Sequence, residues 1–333
     1  MKYRNIGEER NGWIDDPKQR KLFQRKLLKW YELNRRDLPW RSNRDPYRVW
    51  ISEIMLQQTR VAAVIPHYRK FLQRFPTVHK LAAARESSVL AAWSGLGYYR
   101  RARMLHTASK KVVTQYSGKL PKRREELSAL PGIGRYTSAA IASIAYGEPV
   151  AAVDGNVQRI MERLAGRVFG AKEAWQIAGQ LVSLENPGDF NQALMDLGAT
   201  VCIPGRPKCL HCPVTAQCVA HGSLPKITNR IRRKRTVWYA LDLRNSSVFL
   251  VKRSQEASLM PGMWELPEII GSDGPCASIF TLRHSITATD YTVRVVAKHA
   301  TSASSGRWVK NSRARSLPLT GLAKKILRTA KVI

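Results

Sequence analysis

Leu130-Pro131-Gly132-Ile133-Gly134-Arg135-Tyr136 lies between two stretches of helical texture, and 20 residues after Gly134 stands Asp154, in Val153-Asp154-Gly155-Asn156. Proline and paired glycines punctuate a helical pattern, so the first segment reads as a glycine hairpin joining two helices, at about residues 125–145. The glycines, Gly132 and Gly134, permit positive φ and close backbone approach, so amide N–H groups at the next helix N-terminus can hold a phosphate. Pro-Gly-x-Gly alone is equally an ordinary helix–turn–helix connection, and its neighbours have to decide between the two.

Outward from the hairpin the texture stays helical. Leu22, Phe23, Leu27, Leu28, Trp30 and Tyr31 share one apolar helix face, and Pro46 opens a helix through Trp50, Ile51, Ile54 and Leu56. Further helices are expected at about 62–74, 97–116, 134–146, 155–165, 172–184 and 187–199, with breaks at Gly95–Gly97, Pro131–Gly134 and Asn186–Pro187. The texture changes after residue 221. Gly222–Arg235 contains Pro225 and the run Arg230-Ile231-Arg232-Arg233-Lys234-Arg235, which reads as an exposed basic linker. Beyond it Val237–Leu243, Ser247–Arg253 and Tyr291–Ala297 carry the β-branched and aromatic residues of strands. Four parts are therefore expected: a tail at 1–16, a helical domain at 17–221, a linker at 222–235 and a smaller α+β domain at 236–333.

Charge narrows the partner. In 333 residues there are 56 Lys and Arg against 24 Asp and Glu, a net charge of +32. A net charge of roughly 2–8 keeps a small domain soluble; this excess suits a polyanion, and a nucleic acid before a membrane surface. There is no apolar run long enough to span a bilayer, and Met1–Asp16 lacks the apolar region of a signal peptide, so a cytoplasmic chain is expected.

Four of the 5 cysteines cluster as Cys202-x6-Cys209-x2-Cys212-x5-Cys218, with Cys276 apart. In a reducing compartment such a cluster reads as a metal site. Zinc is open on chemistry alone, although zinc sites usually use two knuckles held apart, whereas four evenly strung thiolates in one loop suit a [4Fe–4S] cubane. A last chemical signal is Glu53 in Trp50-Ile-Ser-Glu53-Ile-Met-Leu-Gln-Gln58-Thr59-Arg60, a lone carboxylate in an apolar helix. Burial would raise its pKa and make it a general acid near neutral pH; a partly exposed Glu capped by Ser52 or an arginine is the plainer alternative.

Together these motifs resemble known families. The cysteine spacing is similar to the iron–sulfur loop of endonuclease III and its relatives, which implies a [4Fe–4S] cluster on Cys202, Cys209, Cys212 and Cys218. The hairpin with Asp154 resembles the helix-hairpin-helix DNA glycosylases. The Glu53 segment resembles the MutY family of adenine DNA glycosylases, as do Leu38-Pro39-Trp40-Arg41, Trp93-Ser94-Gly95-Leu96-Gly97-Tyr98-Tyr99 and Asn191-Gln192-Ala193-Leu194-Met195-Asp196. Where lyase-competent relatives carry a lysine that attacks the sugar, this chain has Tyr136, which cannot form a Schiff base.

The resemblance implies a mainly α, helix-hairpin-helix glycosylase domain with a smaller α+β, Nudix-like domain. It implies a monomer acting in base excision repair on double-stranded DNA with adenine opposite 8-oxoguanine or guanine. Arg36, Trp40, Leu56, Val61 and Tyr136 would wall the pocket of a flipped adenine, with Arg41 and Asp196 at the base edge. Glu53 would protonate adenine N7, Asp154 would stabilise the oxocarbenium-like sugar, and Asn156 and Tyr136 would orient the carboxylates and water. Gln58 would fill the vacated stack, and Tyr98 would wedge beside the oxidised guanine, assisted by Leu96 and Thr59. In the Nudix-like domain the carriers are Phe249–Arg253 and Leu259–Pro267. There is no room between Pro267 and Phe280 for the metal-binding helix of a Nudix hydrolase, so it is expected to recognise and not to hydrolyse. The family's Phe-Ser-His sensing loop is altered here to Leu282-Arg283-His284-Ser285-Ile286-Thr287, which leaves either His284 or Ser285 to read the lesion. A glycosylase–lyase lacks its lysine here, and a purely DNA-binding iron–sulfur protein would not need both carboxylates.

Overall fold

The computed structural model describes residues 12–222, 224, 233–254, 256–257, 260–269, 277–286, 289–299 and 306–333. The chain divides into two compact units, Met1–Ala84 with Met104–Ile227, and Arg85–Arg103 with Thr228–Ile333. Cys276, Leu259, Thr287 and most of the basic linker lie outside the described residues.

Local chemistry starts the helices of the first unit. Asp16 accepts a hydrogen bond from Lys18 N at 2.8 Å, and Pro17 occupies the first position of α2 (Pro17–Asn34), after the single turn α1 (Gly12–Asp15). Asp45 caps α3 (Pro46–Leu56) in the same way, through Arg48 N at 2.8 Å. Next come α4 (Val61–Arg74) and α5 (Val78–Ala82), then α6 (Glu86–Ala92), which belongs to the second unit, α7 (Arg100–Gln115), most of which belongs to the first, and α8 (Arg124–Ser128). The helices α9 (Arg135–Tyr146), α10 (Gly155–Ala165), α11 (Ala171–Leu181) and α12 (Pro187–Thr200) complete the series. Left-handed glycines end α9 and α10, at Gly147 and Gly166.

These helices bury the faces that their periodicity offers. Phe23, Leu27 and Tyr31 of α2 join Val157, Ile160 and Leu164 of α10, and Phe190, Leu194 and Leu197 of α12, in one core. Helix α3 packs on α9, and α12 packs on α2, α9 and α10. A Cβ on Gly198 would lie 2.7 Å from Asn156 Cβ, so glycine is what lets α12 approach α10 this closely. The arrangement gathers α3 and the N-terminal ends of α9 and α10 around one cleft.

The hairpin runs from α8 to α9 as expected, but its glycines differ. Gly132 has φ +80°, and a Cβ there would lie 2.8 Å from Met104 Cβ. Gly134 has φ −87° and open space around its missing Cβ. Glycine permits positive φ at both positions, and Gly132 alone adopts it.

The second unit contains two small sheets. In the first, β1 (Arg233–Leu241) pairs in parallel with β6 (Thr289–Ala297), which pairs antiparallel with β5 (Phe280–Ile286). The second holds β2 (Leu243–Arg244), β3 (Ser247–Lys252), β4 (Trp264–Glu265) and β7 (Gly306–Lys310). Tyr239, Val248, Leu250, Val293, Val295 and Val309 form its core with Ile326 and Leu327 of α14 (Gly321–Thr329), which follows the short α13 (Asn311–Ala314). Two expectations are corrected. Arg233–Arg235, assigned to the linker, begin β1. Leu282–Ile286, expected as a sensing loop, is strand β5, whose residues alternate between half-buried and exposed because one face packs on the sheet core.

Replacing Gly132 by Ala forces a left-handed Cβ into Met104. A loss of at least about 1–2 kcal/mol in unfolding free energy is expected from the backbone alone, read by urea denaturation; an unchanged midpoint would contradict the geometry.

Candidate active site

Helix α3 is apolar on all sides near Glu53. Trp50, Ile51, Ile54 and Met55 are buried, and Glu53 itself is 5 % exposed. It belongs to the lining of a cleft of about 490 Å³, with Arg36, Trp40, Arg41, Leu56, Gln58, Thr59, Val61, Tyr136, Asp154 and Asn156, among others. All of these were singled out by sequence. A larger groove along α2 and α11, of about 1180 Å³, gathers none of the candidate site residues.

Burial drives the Glu53 carboxyl up to about 7; the Tyr136 hydroxyl beside it opposes the rise, the Asp154 charge adds to it, and Arg41 opposes it. Glu53 Oε2 is buried with no hydrogen-bond partner in the protein. An acid that keeps its proton toward neutral pH, with one oxygen unsatisfied, therefore stands in the lining of the cleft. Burial and then the Glu53 and Asp154 charges hold the Tyr136 phenol well above its ordinary range, so it stays neutral. Its hydroxyl also lies 3.6 Å from Met195 Sδ, to which it donates.

Asp154 is in a different setting. It is the N-cap of α10, where Oδ1 accepts from Asn156 N at 2.9 Å and Val157 N at 2.8 Å. Oδ2 accepts from Asn156 Nδ2 at 3.2 Å. Asn156 Oδ1 in turn accepts from Arg159 Nη2 at 2.9 Å, and Arg159 Nε donates to the Cys202 carbonyl at 2.9 Å. A hydrogen-bonded chain thus joins the carboxylate to the cysteine loop.

Asp196 is tied to the cleft through two arginines. It is fully buried, lies outside the cleft lining, and both its oxygens are occupied. Arg41 Nη1 and Nη2 donate to them at 2.7 and 3.0 Å, and Arg36 Nε donates at 2.7 Å. Burial pushes the Asp196 carboxyl up, but the Arg41 hydrogen bond and the charges of Arg41 and Arg36 outweigh it, and the net shift is downward. Asp196 therefore holds the two arginines that line the cleft. Beside them, Trp40 packs edge-on against Tyr68, with centroids 5.4 Å apart, which fixes that wall.

The four clustered cysteines line one small cavity together with Arg163. The buried Arg163 guanidinium lies 3.1 Å from Cys202 Sγ and also donates to the Ile203 carbonyl. Burial pushes the Cys212 thiol up to about 11 and raises Cys218 as well. Such thiols ionise only with cationic help, which Arg163 and a bound metal group would supply. Among the described residues, no three His, Cys, Asp or Glu side chains converge as around a single metal ion.

Gln58 belongs to the cleft lining, and the other remaining candidates are elsewhere. Gly132 and Gly134 form the turn before α9, where Gly134 is an N-cap without a side-chain hydrogen bond. Gln58 is exposed with φ +55°, a left-handed strain unusual for a non-glycine residue. Leu96, Tyr98, His284 and Ser285 belong to the second unit. Leu96 is buried and Tyr98 is 54 % exposed. His284 pairs with Tyr291 on the half-buried face of β5, whereas Ser285 is on the exposed face and donates to Asp290 Oδ1 at 2.6 Å. Sequence reading missed Gln192 and Met195 as cleft residues and Arg159 and Arg163 as partners of the cysteine loop. The spacing of Asn156, Arg159 and Arg163, three and then four residues apart, was the available signal.

Residues 51–173 match the family described as HhH-GPD superfamily base excision DNA repair protein. The chain is 49% identical over 216 residues to the adenine DNA glycosylase of Rattus norvegicus, covering 60% of this chain and 42% of that protein. It therefore spans about two-fifths of that relative's length. It is 33% identical over 259 residues to the adenine DNA glycosylase of Buchnera aphidicola from Schizaphis graminum, covering 74% of each. A solved structure of a thermostable thymine-DNA glycosylase matches at a TM-score of 0.57 and 33% identity, covering 61% of this chain and 97% of that one.

The Glu53 environment has a measurable thermodynamic cost. Its proton is held to about 7 when folded, against 4.5 for an ordinary glutamate. Between these values the folded chain binds the extra proton, so stability contributed by the neutral acid is present at low pH and lost as pH rises through 7. The full penalty is on the order of 3 kcal/mol. Glu53→Gln should therefore melt above the unsubstituted protein at pH 8 and alongside it at pH 4.5; a difference independent of pH would contradict the buried acid.

Proposed function

The chain belongs to the adenine DNA glycosylase family, and we propose that it hydrolyses the N-glycosidic bond of adenine mispaired with guanine or 8-oxoguanine in double-stranded DNA. The observation that carries this reading is Glu53, an acid poised near 7 whose buried Oε2 has no partner, in the lining of a cleft that also holds Asp154. A base must leave the stack to reach such a cleft. There the Glu53 proton passes to adenine N7, so that the base departs neutral as the C1′–N9 bond breaks. The Asp154 carboxylate faces the positive charge that develops on the sugar, and water adds to C1′ to give an abasic site. Tyr136, kept neutral, holds Glu53 in place, and Asn156 holds Asp154. Tyr136 offers no amine, so no Schiff base forms and the strand is left intact.

The match to a thymine-DNA glycosylase favours one second reading, removal of thymine. Thymine has no ring nitrogen lone pair to take the Glu53 proton, which supports adenine.

Cys202, Cys209, Cys212 and Cys218 would hold a [4Fe–4S] cluster, which would organise the loop that Arg159 ties to Asp154. The uncapped start of α9 beyond Gly134 suits a DNA phosphate. The second unit would serve as a Nudix-like module reading the base opposite adenine, with His284 and Ser285 on opposite faces of β5 as its candidates. The chain would act in the cytoplasm as a monomer; no described helix is long and apolar enough to cross a membrane.

Single-turnover assays on duplexes with adenine opposite 8-oxoguanine, guanine or cytosine, and thymine opposite guanine, test the function. Adenine loss opposite the first two, with strand breakage only after hot alkali, is expected. The rate should fall as pH rises through about 7, because the Glu53 acid is then lost. Glu53→Gln should bind DNA normally and lose about 10²–10⁴-fold in rate. Thymine release, or a near-normal Glu53→Gln rate, overturns the assignment.

Metal analysis tests the cofactor. Anaerobically purified protein should be brown with about four irons per chain, and Cys212→Ser should lose both iron and DNA affinity. Stoichiometric zinc without iron contradicts the cluster.

A further inference from the structure

The turn Gly95-Leu96-Gly97-Tyr98 precedes α7 and has an unusual backbone. Gly95, Gly97 and Tyr98 all have positive φ, of 110°, 71° and 49°. Glycine adopts this region freely, whereas tyrosine is strained there and stays only where its surroundings hold it. The ring held in this way is one of the few large apolar groups left exposed, at 54 %.

What holds it is largely one side chain. Arg101, in the first turn of α7, donates from Nη2 to the Leu96 and Gly97 carbonyls, both at 3.3 Å. Its guanidinium carbon lies 5.5 Å from the Tyr98 ring centroid and 5.4 Å from that of Trp93. The Arg101 backbone N–H donates to the Tyr98 carbonyl at 2.9 Å, and Trp93 Nε1 donates to the Gly97 carbonyl at 3.1 Å. Trp93 is fully buried and gives the arrangement a fixed base. The guanidinium is thus in contact with a buried ring and an exposed one while gripping the carbonyls between them. Only a planar fork both stacks and donates in this way; a lysine ammonium is a point charge.

We propose that Arg101 is a positioning residue that holds the Tyr98 ring out as a preformed wedge for insertion into a DNA base step. The proposal rests on the DNA glycosylase reading above. A wedge already ordered in the free protein meets the duplex without the entropic cost of freezing a loop around an exposed aromatic, and an aromatic ring unstacks a step without reading its sequence. Arg101 would touch no DNA itself.

The test is a double-mutant cycle of Arg101→Lys and Tyr98→Leu. Fluorescence of 2-aminopurine placed beside the guanine of an adenine–guanine mispair, read before excision, reports unstacking. Each single variant should lose the fluorescence rise and about tenfold in affinity for the mispaired duplex, the scale of one stacking contact. The double variant should be no worse than Tyr98→Leu alone, because Arg101 acts through that ring. Losses that add, or a full fluorescence rise in Arg101→Lys, overturn the proposal. If the lysine variant fails to fold by thermal melting, Arg101→Met, which keeps the aliphatic stem, takes its place. Fluorescence reads insertion whether or not a base is cut, so a wild-type protein that inserts but does not excise adenine would overturn the function and leave the wedge standing.

Discussion

The structure is organised around the burial of one carboxyl. A glutamate on an apolar helix costs free energy that an alanine would not, and the cost grows with pH because the low-dielectric surroundings resist ionisation. The packing of α3 against α9 makes Glu53 an acid near neutrality and brings Tyr136, from the first turn of α9, beside it. The close seat of α12 on α10 at Gly198 then sets Asn156, and with it Asp154, on the other side of the cleft. The rigid knot of Arg36, Arg41 and Asp196 keeps one wall from relaxing toward the acid.

Two carboxylates share this cleft in opposite environments, and the contrast assigns them different work. Glu53 has apolar neighbours and an unsatisfied oxygen, so it keeps a proton to give. Asp154 is surrounded by donors, two backbone amides and the Asn156 amide, which fix its position at the start of α10. Two carboxyls in unlike surroundings let one site divide the work of an acid and a stabilising anion. Asp154 also caps α10, so its structural and chemical duties cannot be separated by deleting it; only a change that keeps the hydrogen bonds and removes the charge does so.

Much of this was legible in the sequence because it was local. The 3.6-residue spacing in α2 and the prolines and glycines that end helices depend on near neighbours alone, and the expected helices correspond closely to those observed. Glu53 stood out because a charge in an apolar run is itself a local anomaly. The rest was decided by tertiary context. Asp196 sits in a helix as Glu53 does, and nothing nearby in the sequence says that two arginines from residues 36 and 41 would consume both its oxygens. Leu282, His284 and Ile286 alternate with Arg283 and Ser285 as a strand should, but the likeness to a family loop motif outweighed that periodicity. Arg101 carries no local sign in the sequence, because cation–π contacts with Trp93 and Tyr98 leave no mark in composition. Gly134 reads identically to Gly132 in the chain, although only Gly132 has the backbone that requires glycine.

The central claim is that Glu53 delivers its proton to N7 of an adenine lodged in the cleft. Comparing adenine with 7-deazaadenine, each opposite 8-oxoguanine in the same duplex, isolates that step, because a carbon replaces the proton acceptor while ring shape and the amino group remain. The account predicts equal binding of the two duplexes and single-turnover excision of adenine alone. Release of 7-deazaadenine at a rate comparable to adenine would contradict it.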